Sequence, residues 1–242
     1  MAVPRILPAL SHQSDRVSQS RLDRWYYVGV AVAALAVTFA GFAHSFYLRP
    51  ASMPALAPLV VVHGTVFTCW VLLLLTQTTL IATGHTRAHR RLGVAGAGLA
   101  VLIVVLGPMV AIPAARRGAL PGDPLAFLLV MLGDLLLFAV FVAAGISQRH
   151  HRETHKRLMV LATVNLLPPA ISRWPIAVGH PAVIGAVLLA FLAAAPVRDI
   201  LTRRRIHPVS LWGGLAVLVS VPVRFALSQT VAWHRVASWL IR

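Results

Sequence analysis

Leu99-Ala100-Val101-Leu102-Ile103-Val104-Val105-Leu106 places eight apolar side chains in succession, and Val71-Leu72-Leu73-Leu74-Leu75 places five. Neither run alternates. A lipid-facing barrel strand alternates apolar and polar residues over about ten positions. A helix that crosses a bilayer core of about 30 Å needs about 20 mostly apolar residues in a row. Within lipid, only these two structures satisfy every backbone N–H and C=O without water. The unbroken runs select the helix. Seven stretches have this character, near residues 25–46, 58–83, 92–114, 124–147, 157–179, 182–201 and 209–231. The fifth is interrupted by Asn165, Pro168, Pro169 and Arg173. The expected fold is an all-α, polytopic transmembrane helical bundle of seven spans.

Composition points the same way. Of 242 residues, 58% are hydrophobic and 12% charged, against about 45–50% and about 25% in soluble domains. A soluble domain of this size could not hide that much apolar surface. The formal charge is +16, from 22 Lys+Arg and 6 Asp+Glu. In a soluble chain this would suggest nucleic acid, but membrane topology explains it instead. The one cysteine, Cys69, excludes an intrachain disulfide and a cysteine-built metal cluster. Residues 1–24 contain Pro4, Pro8 and scattered polar residues with no apolar run before a small-residue site. They are expected to be a basic cytoplasmic tail rather than a cleavable signal.

Basic residues in short loops set orientation. One side holds Arg5, Arg16, Arg21 and Arg24, then Arg87, Arg90 and Arg91, then Arg149, Arg152, Lys156 and Arg157, then Arg198, Arg203, Arg204 and Arg205. That is fifteen, against six on the other side: Arg49, Arg116, Arg117, Arg173, Arg235 and Arg242. The bias puts the N-terminus in the cytoplasm and the C-terminus outside. Residues 25–231 form the membrane domain, and 232–242 are a short outer tail. The cytoplasmic collar of arginines should meet anionic lipid head groups. The bilayer, a membrane-protein partner or a second copy are the expected contacts, and nucleic acid is not.

Polar groups inside lipid cost several kcal/mol unless paired or hydrated, so each is a functional candidate. Asp134 lies near the midplane of the fourth span, roughly 13 Å from its outer start at 1.5 Å per residue. Arg224 lies roughly 10 Å from the outer end of the seventh. Arg173 is shallower and can snorkel outward. Depth therefore pairs Asp134 with Arg224. The pair reads either as a proton-handling or substrate-binding site or as a buried ion pair that fixes helix packing. Asn165 can hydrogen-bond across the bundle, and a broken fifth helix near it can line a cavity.

On the second span, His63, Trp70 and Gln77 are seven residues apart and share a face. Gly64 beside His63 leaves room for a flat group such as haem, whose iron often takes a histidine ligand. A second ligand would come from His44 or His180 on the outer side. On the inner side, His89 and His155 are a candidate pair. The i,i+4 pairs His85/His89 and His151/His155 lie beside several arginines, whose charge argues against a bare metal cation.

Two phrases match: His89-Arg90-Arg91-Leu92-Gly93 opens the third span, and His155-Lys156-Arg157-Leu158-Met159 opens the fifth. Arg204-Arg205-Ile206-His207-Pro208 before the seventh is a looser copy. With His63-Gly64, Trp70, Gln77 and Arg173-Trp174-Pro175, these phrases resemble a group of uncharacterised bacterial inner-membrane proteins over about residues 57–215. That resemblance implies a multi-pass bundle in which these polar positions matter, and it carries no activity. A looser similarity is to cytochrome b561-like bundles, which implies b-type haem held between helices. Two familiar seven-span readings are excluded. Lys156, the single lysine, is not in the last helix, as a retinal Schiff base requires. The charge bias is opposite to that of a G-protein-coupled receptor.

Three functions follow as expectations. The first is a membrane redox protein with b-type haem between helices. The second is a small-solute or proton transporter using Asp134 and Arg224. The third is a non-catalytic accessory or assembly subunit.

Overall fold

The computed structural model describes residues 7–242, with side chains from Arg24 onward. The side chains of Arg5, Arg16 and Arg21, in the expected basic tail, lie outside the described residues. The described elements are all helical: α1 Leu7–Phe42, ending in a π-helical turn Ala43–Tyr47, then α2 Pro58–Ala82, α3 Thr86–Arg116, α4 Pro124–Ser147, α5 Arg152–Asn165, α6 Pro168–Ile171, α7 Pro181–Arg203, α8 Pro208–Ser228 and α9 Val231–Leu240. Proline opens α2, α4, α7 and α8, where its missing N–H is not needed and its φ suits the first turn. Asp123 caps α4, its Oδ1 accepting from Leu125 N at 2.9 Å and Ala126 N at 3.2 Å. The α2–α3 turn passes through Gly84 at φ +86°, a left-handed conformation that glycine adopts without penalty.

Among the described residues, six helices are long and apolar enough to cross a membrane: Arg24–Tyr47, Pro58–Ala82, Thr86–Arg116, Pro124–Ser147, Pro181–Arg203 and Pro208–Ser228. Their outer faces expose large apolar side chains, Leu136 at 66%, Leu201 at 78% and Trp212 at 67% among them. A surface apolar over most of its circumference belongs against lipid. Six spans of this kind make the chain a multi-pass membrane protein.

The stretch expected as the fifth of seven spans is not one of the six. Helix α5 ends at Asn165, and α6 is a four-residue helix. The physical cause is Pro168-Pro169. Neither has an N–H, and each ring clashes with the carbonyl four residues back. The chain tightens instead, with Leu166 N donating to Thr163 O at 3.0 Å and Leu167 N to Val164 O at 3.1 Å.

Helix α5 is nevertheless the hub. It packs on α1, α2, α4, α7 and α8, and Leu161, Ala162, Thr163, Val164 and Asn165 are all buried. At one end of the bundle, Lys156 lies over the Tyr27 ring near the start of the α1 span. At the other, Arg173 lies over Phe42 and Ala170 packs against Gly41. We call these the basic end and the far end. The basic end carries the α2–α3, α4–α5 and α7–α8 turns.

The expected outer tail is the helix α9, capped by Thr230, whose Oγ1 accepts from Trp233 N at 3.2 Å. Trp233 Nε1 donates to Leu125 O at 2.7 Å. Trp233 and Ile241 also pack on a small cluster formed by Ala111, Ala115 and Leu128. The main core gathers Ile103, Phe138, Val164, Ile171 and Val217 from five helices.

Candidate functional site

At the basic end, the two matching phrases meet. The His89 ring on α3 and the His155 ring on α5 stand with centroids 6.3 Å apart and planes at 86°. Both residues lie inside their helices, because α3 starts at Thr86 and α5 at Arg152, earlier than the apolar runs begin. His155 Nδ1 is 2.7 Å from the Gly145 carbonyl of α4. A ring nitrogen can reach a carbonyl only as a donor, so Nδ1 carries a proton and Nε2 is the nitrogen not engaged by that carbonyl. The His89 ring lies beside the Gln77 carbonyl of α2, and its Nδ1 is buried without a hydrogen-bond partner. Gln77 Oε1 is also buried and unpartnered, and its Nε2 lies 3.6 Å from the Cβ position of Gly93. Three helices thus converge on two imidazoles and an amide with unmet bonding capacity.

Nearer the far end, His63 is half-buried, its ring 4.4 Å from Phe67 and facing the Leu106 carbonyl of α3. Its Nδ1 has no partner. The space expected beside Gly64 is filled by Phe46, whose Cε2 would stand 2.5 Å from a Cβ there. His44, in the π-helical turn, and His180, at the start of α7, are both exposed, and the ring contact of His63 is with Phe67 rather than either of them. Trp70 faces the core, its Nε1 donating to Thr163 Oγ1 at 3.0 Å and its ring 4.9 Å from Phe138.

Deep in the bundle, Arg224 Nη1 reaches Asp134 Oδ1 at 2.5 Å. This joins the two residues that depth alone pairs. The guanidinium also donates to Val130 O at 2.9 Å, Ser220 O at 3.1 Å and Ser220 Oγ at 3.2 Å. Gly133 makes this approach possible, since a Cβ there would lie 2.2 Å from Arg224 Cδ. Asn165 Nδ2 donates to the Asp134 carbonyl at 2.6 Å. Arg173 is elsewhere, donating to Pro169 O and stacking on Phe42.

A second buried charge cluster was not expected from the sequence. Arg157 and Asp199 are 2% and 1% exposed and form an ion pair between α5 and α7. Arg157 also pairs with Glu153, and its Nε donates to Ser210 Oγ of α8 at 2.9 Å. Asp199 Oδ2 accepts from His207 N at 3.1 Å and Ser210 Oγ at 3.3 Å. Glu153 further meets Lys156 at 2.7 Å and Arg203 at 3.1 Å. Partial burial of Glu153 opposes its ionisation, but the hydrogen bonds and charges of Lys156 and Arg157 outweigh it and bring the carboxyl down to about 2. Burial, aided by the Arg157 charge, holds His207 below the usual imidazole range. The available signal was scarcity: the chain has six acidic residues, so an acid beside a run of cations warrants a partner.

Among the described residues, no group of three or more His, Cys, Asp or Glu could hold a metal ion. No protein-family model, curated protein or solved structure matches the chain.

Proposed function

We propose that the protein is a redox protein of the bacterial inner membrane that takes one b-type haem between α3 and α5, where His89 and His155 are the residues that would hold it. One observation carries this reading, the separation and tilt of the two rings. A metal–imidazole bond is about 2 Å, and the ring centre lies about 1 Å beyond the nitrogen, so rings on opposite sides of one metal stand about 6 Å apart. The Gly145 carbonyl on His155 Nδ1 supports it, because ligating histidines commonly donate their other nitrogen to a fixed acceptor. The unpartnered His89 Nδ1 is a further group whose bonding a bound metal would complete. Exposed Arg90, Arg91 and Arg152 at the same end would supply cations for propionate carboxylates. Bound haem would supply one-electron transfer. The protein's part is to orient two imidazoles and shield the site.

Seven crossings with a cytoplasmic N-terminus are part of this proposal. The segment 152–180 has its start beside Tyr27 and its later part beside Gly41 and Phe42. Those α1 positions are about 20 Å apart at 1.5 Å per residue. The broken fifth element therefore serves as a crossing, and the basic end faces the cytoplasm.

The test is haem content after haem-replete expression. Purified wild type is expected to carry close to one haem per chain with a Soret band. His89→Ala and His155→Ala should each lose it while still eluting as folded, monodisperse protein, and His63→Ala should keep it. Haem-free wild type, or haem retained in both ligand variants, overturns the proposal. A stable partner that co-purifies with haem-free protein would favour the accessory role.

A further inference from the structure

We infer that Asp134 is a proton-exchange site inside the membrane: its carboxylate binds and releases one proton, with Arg224 and Asn165 as the groups that support the two states. This goes beyond the haem reading and does not depend on it. The first observation is the wiring of Arg224. Besides Asp134, its guanidinium has three neutral acceptors, Val130 O, Ser220 O and Ser220 Oγ. When Asp134 is neutral, the cation keeps those three hydrogen bonds. Arg157 also has neutral acceptors, Ser210 Oγ and Glu153 O, but differs in having two carboxylate partners, Glu153 and Asp199, where Arg224 has one.

The second observation is Asn165. It is 1% exposed, its Nδ2 is committed to the Asp134 carbonyl at 2.6 Å, and its Oδ1 is buried with no donor. A buried acceptor without a donor is costly. A donor at this position would satisfy it, and the nearest established link of Asn165 to the acid is its bond to the Asp134 carbonyl. The third is the helix break directly after Asn165. Leu167, Ala170 and Ile171 after the break are buried, so this non-helical backbone is held within protein, a setting in which it persists at membrane depth, and the break begins one residue beyond the side chain that bonds the Asp134 carbonyl.

The charged group facing Asp134 is Arg224 from α8. From α5 comes the neutral Asn165, and α3 meets α4 here through Gly107 against Leu135. His234 on α9 pairs with Asp123 at the start of α4 instead. In the step, a hydrated proton adds to the carboxylate, the Asp134–Arg224 ion pair becomes a neutral acid beside a cation, and reversal returns the proton to water. No electron moves.

Infrared difference spectroscopy of the purified full chain, titrated over the pH range in which it stays folded, reads the acid directly. Wild type should show the C=O stretch of a buried protonated carboxyl on acidification. Asp134→Asn should lack that band, Asp134→Glu should restore a shifted one, and Asn165→Leu should displace the titration midpoint. The Asp134→Asn/Arg224→Gln double variant removes both charges, so a missing band there reports the acid and not a stranded arginine. His89→Ala should keep the band, which separates this inference from the haem proposal. Difference spectra identical in wild type and Asp134→Asn overturn it.

Discussion

His155 owes its orientation to one atom, the Gly145 carbonyl at 2.7 Å, and Arg224 owes its to a missing one. A Cβ at Gly133 would sit 2.2 Å from Arg224 Cδ, in a stem already held by four acceptors. Gly133→Ala should therefore destabilise the protein by about 1–3 kcal/mol through overpacking, seen as a lower thermal midpoint in detergent. Glu153 makes a pH prediction. Its folded carboxyl is brought down to about 2 from an ordinary 4.5. A depressed acid stabilises the fold above its unfolded value and loses that contribution as pH falls through the folded one. The stability difference between wild type and Glu153→Gln should thus be constant above about pH 4.5 and shrink toward pH 2. Glu153 is 37% exposed, so screening keeps the difference small.

At this scale, depth and repetition were the signals the sequence offered. Asp134 and Arg224 match in depth, and His89 and His155 open matching phrases. Arg157–Asp199 escaped because Arg157 was counted among the loop cations and Asp199, near the end of the 182–201 stretch, was assigned no partner. Helices α5 and α7 extend through Arg152 and Arg203, since Arg and Lys are good helix formers, and so carry these charges into a buried interface.

Elements show why a 14-residue helix can be central. Helix α5 turns a different polar or charged side chain toward each neighbour: His155 toward α3, Arg157 toward α7 and α8, Thr163 toward α2 and Asn165 toward α4. Asp199→Asn leaves Arg157 buried with its interhelical charge partner gone and should cost about 3–5 kcal/mol. Replacing both, as Arg157→Met with Asp199→Leu, should recover most of that loss. Unfolding midpoints of the three variants check both statements. Beyond the break, Gly41 lets α1 meet backbone: a Cβ there would stand 2.1 Å from Ala170 O. Since backbone cannot swing aside, Gly41→Ala should be more damaging than Gly145→Ala, where the obstacle is the flexible Met159 Cε at 2.3 Å. Comparison of the two midpoints tests this. The prolines that break the fifth element were visible in the sequence. Their consequence was not, because it depends on α1 offering a glycine to the displaced chain.

Across the whole molecule, the apolar periodicity and the basic collar made the helical bundle legible, and six spans follow from length and composition. The fifth of the seven apolar stretches read from the sequence is the one that is not among these six, broken at Pro168 and Pro169. Cys69 is the single cysteine, so a Cys69→Ala background permits site-directed labelling. His150→Cys and Val178→Cys should react from opposite membrane faces; reaction from the same face would remove the seventh crossing.

The central claim is the haem held by His89 and His155, and electron paramagnetic resonance of the oxidised protein, expressed with haem in excess, tests it most directly. Rings at 86° predict a low-spin ferric signal of the strongly anisotropic kind given by perpendicular imidazole planes. A protein without any low-spin ferric signal, or with the rhombic signal of parallel imidazoles, would contradict it.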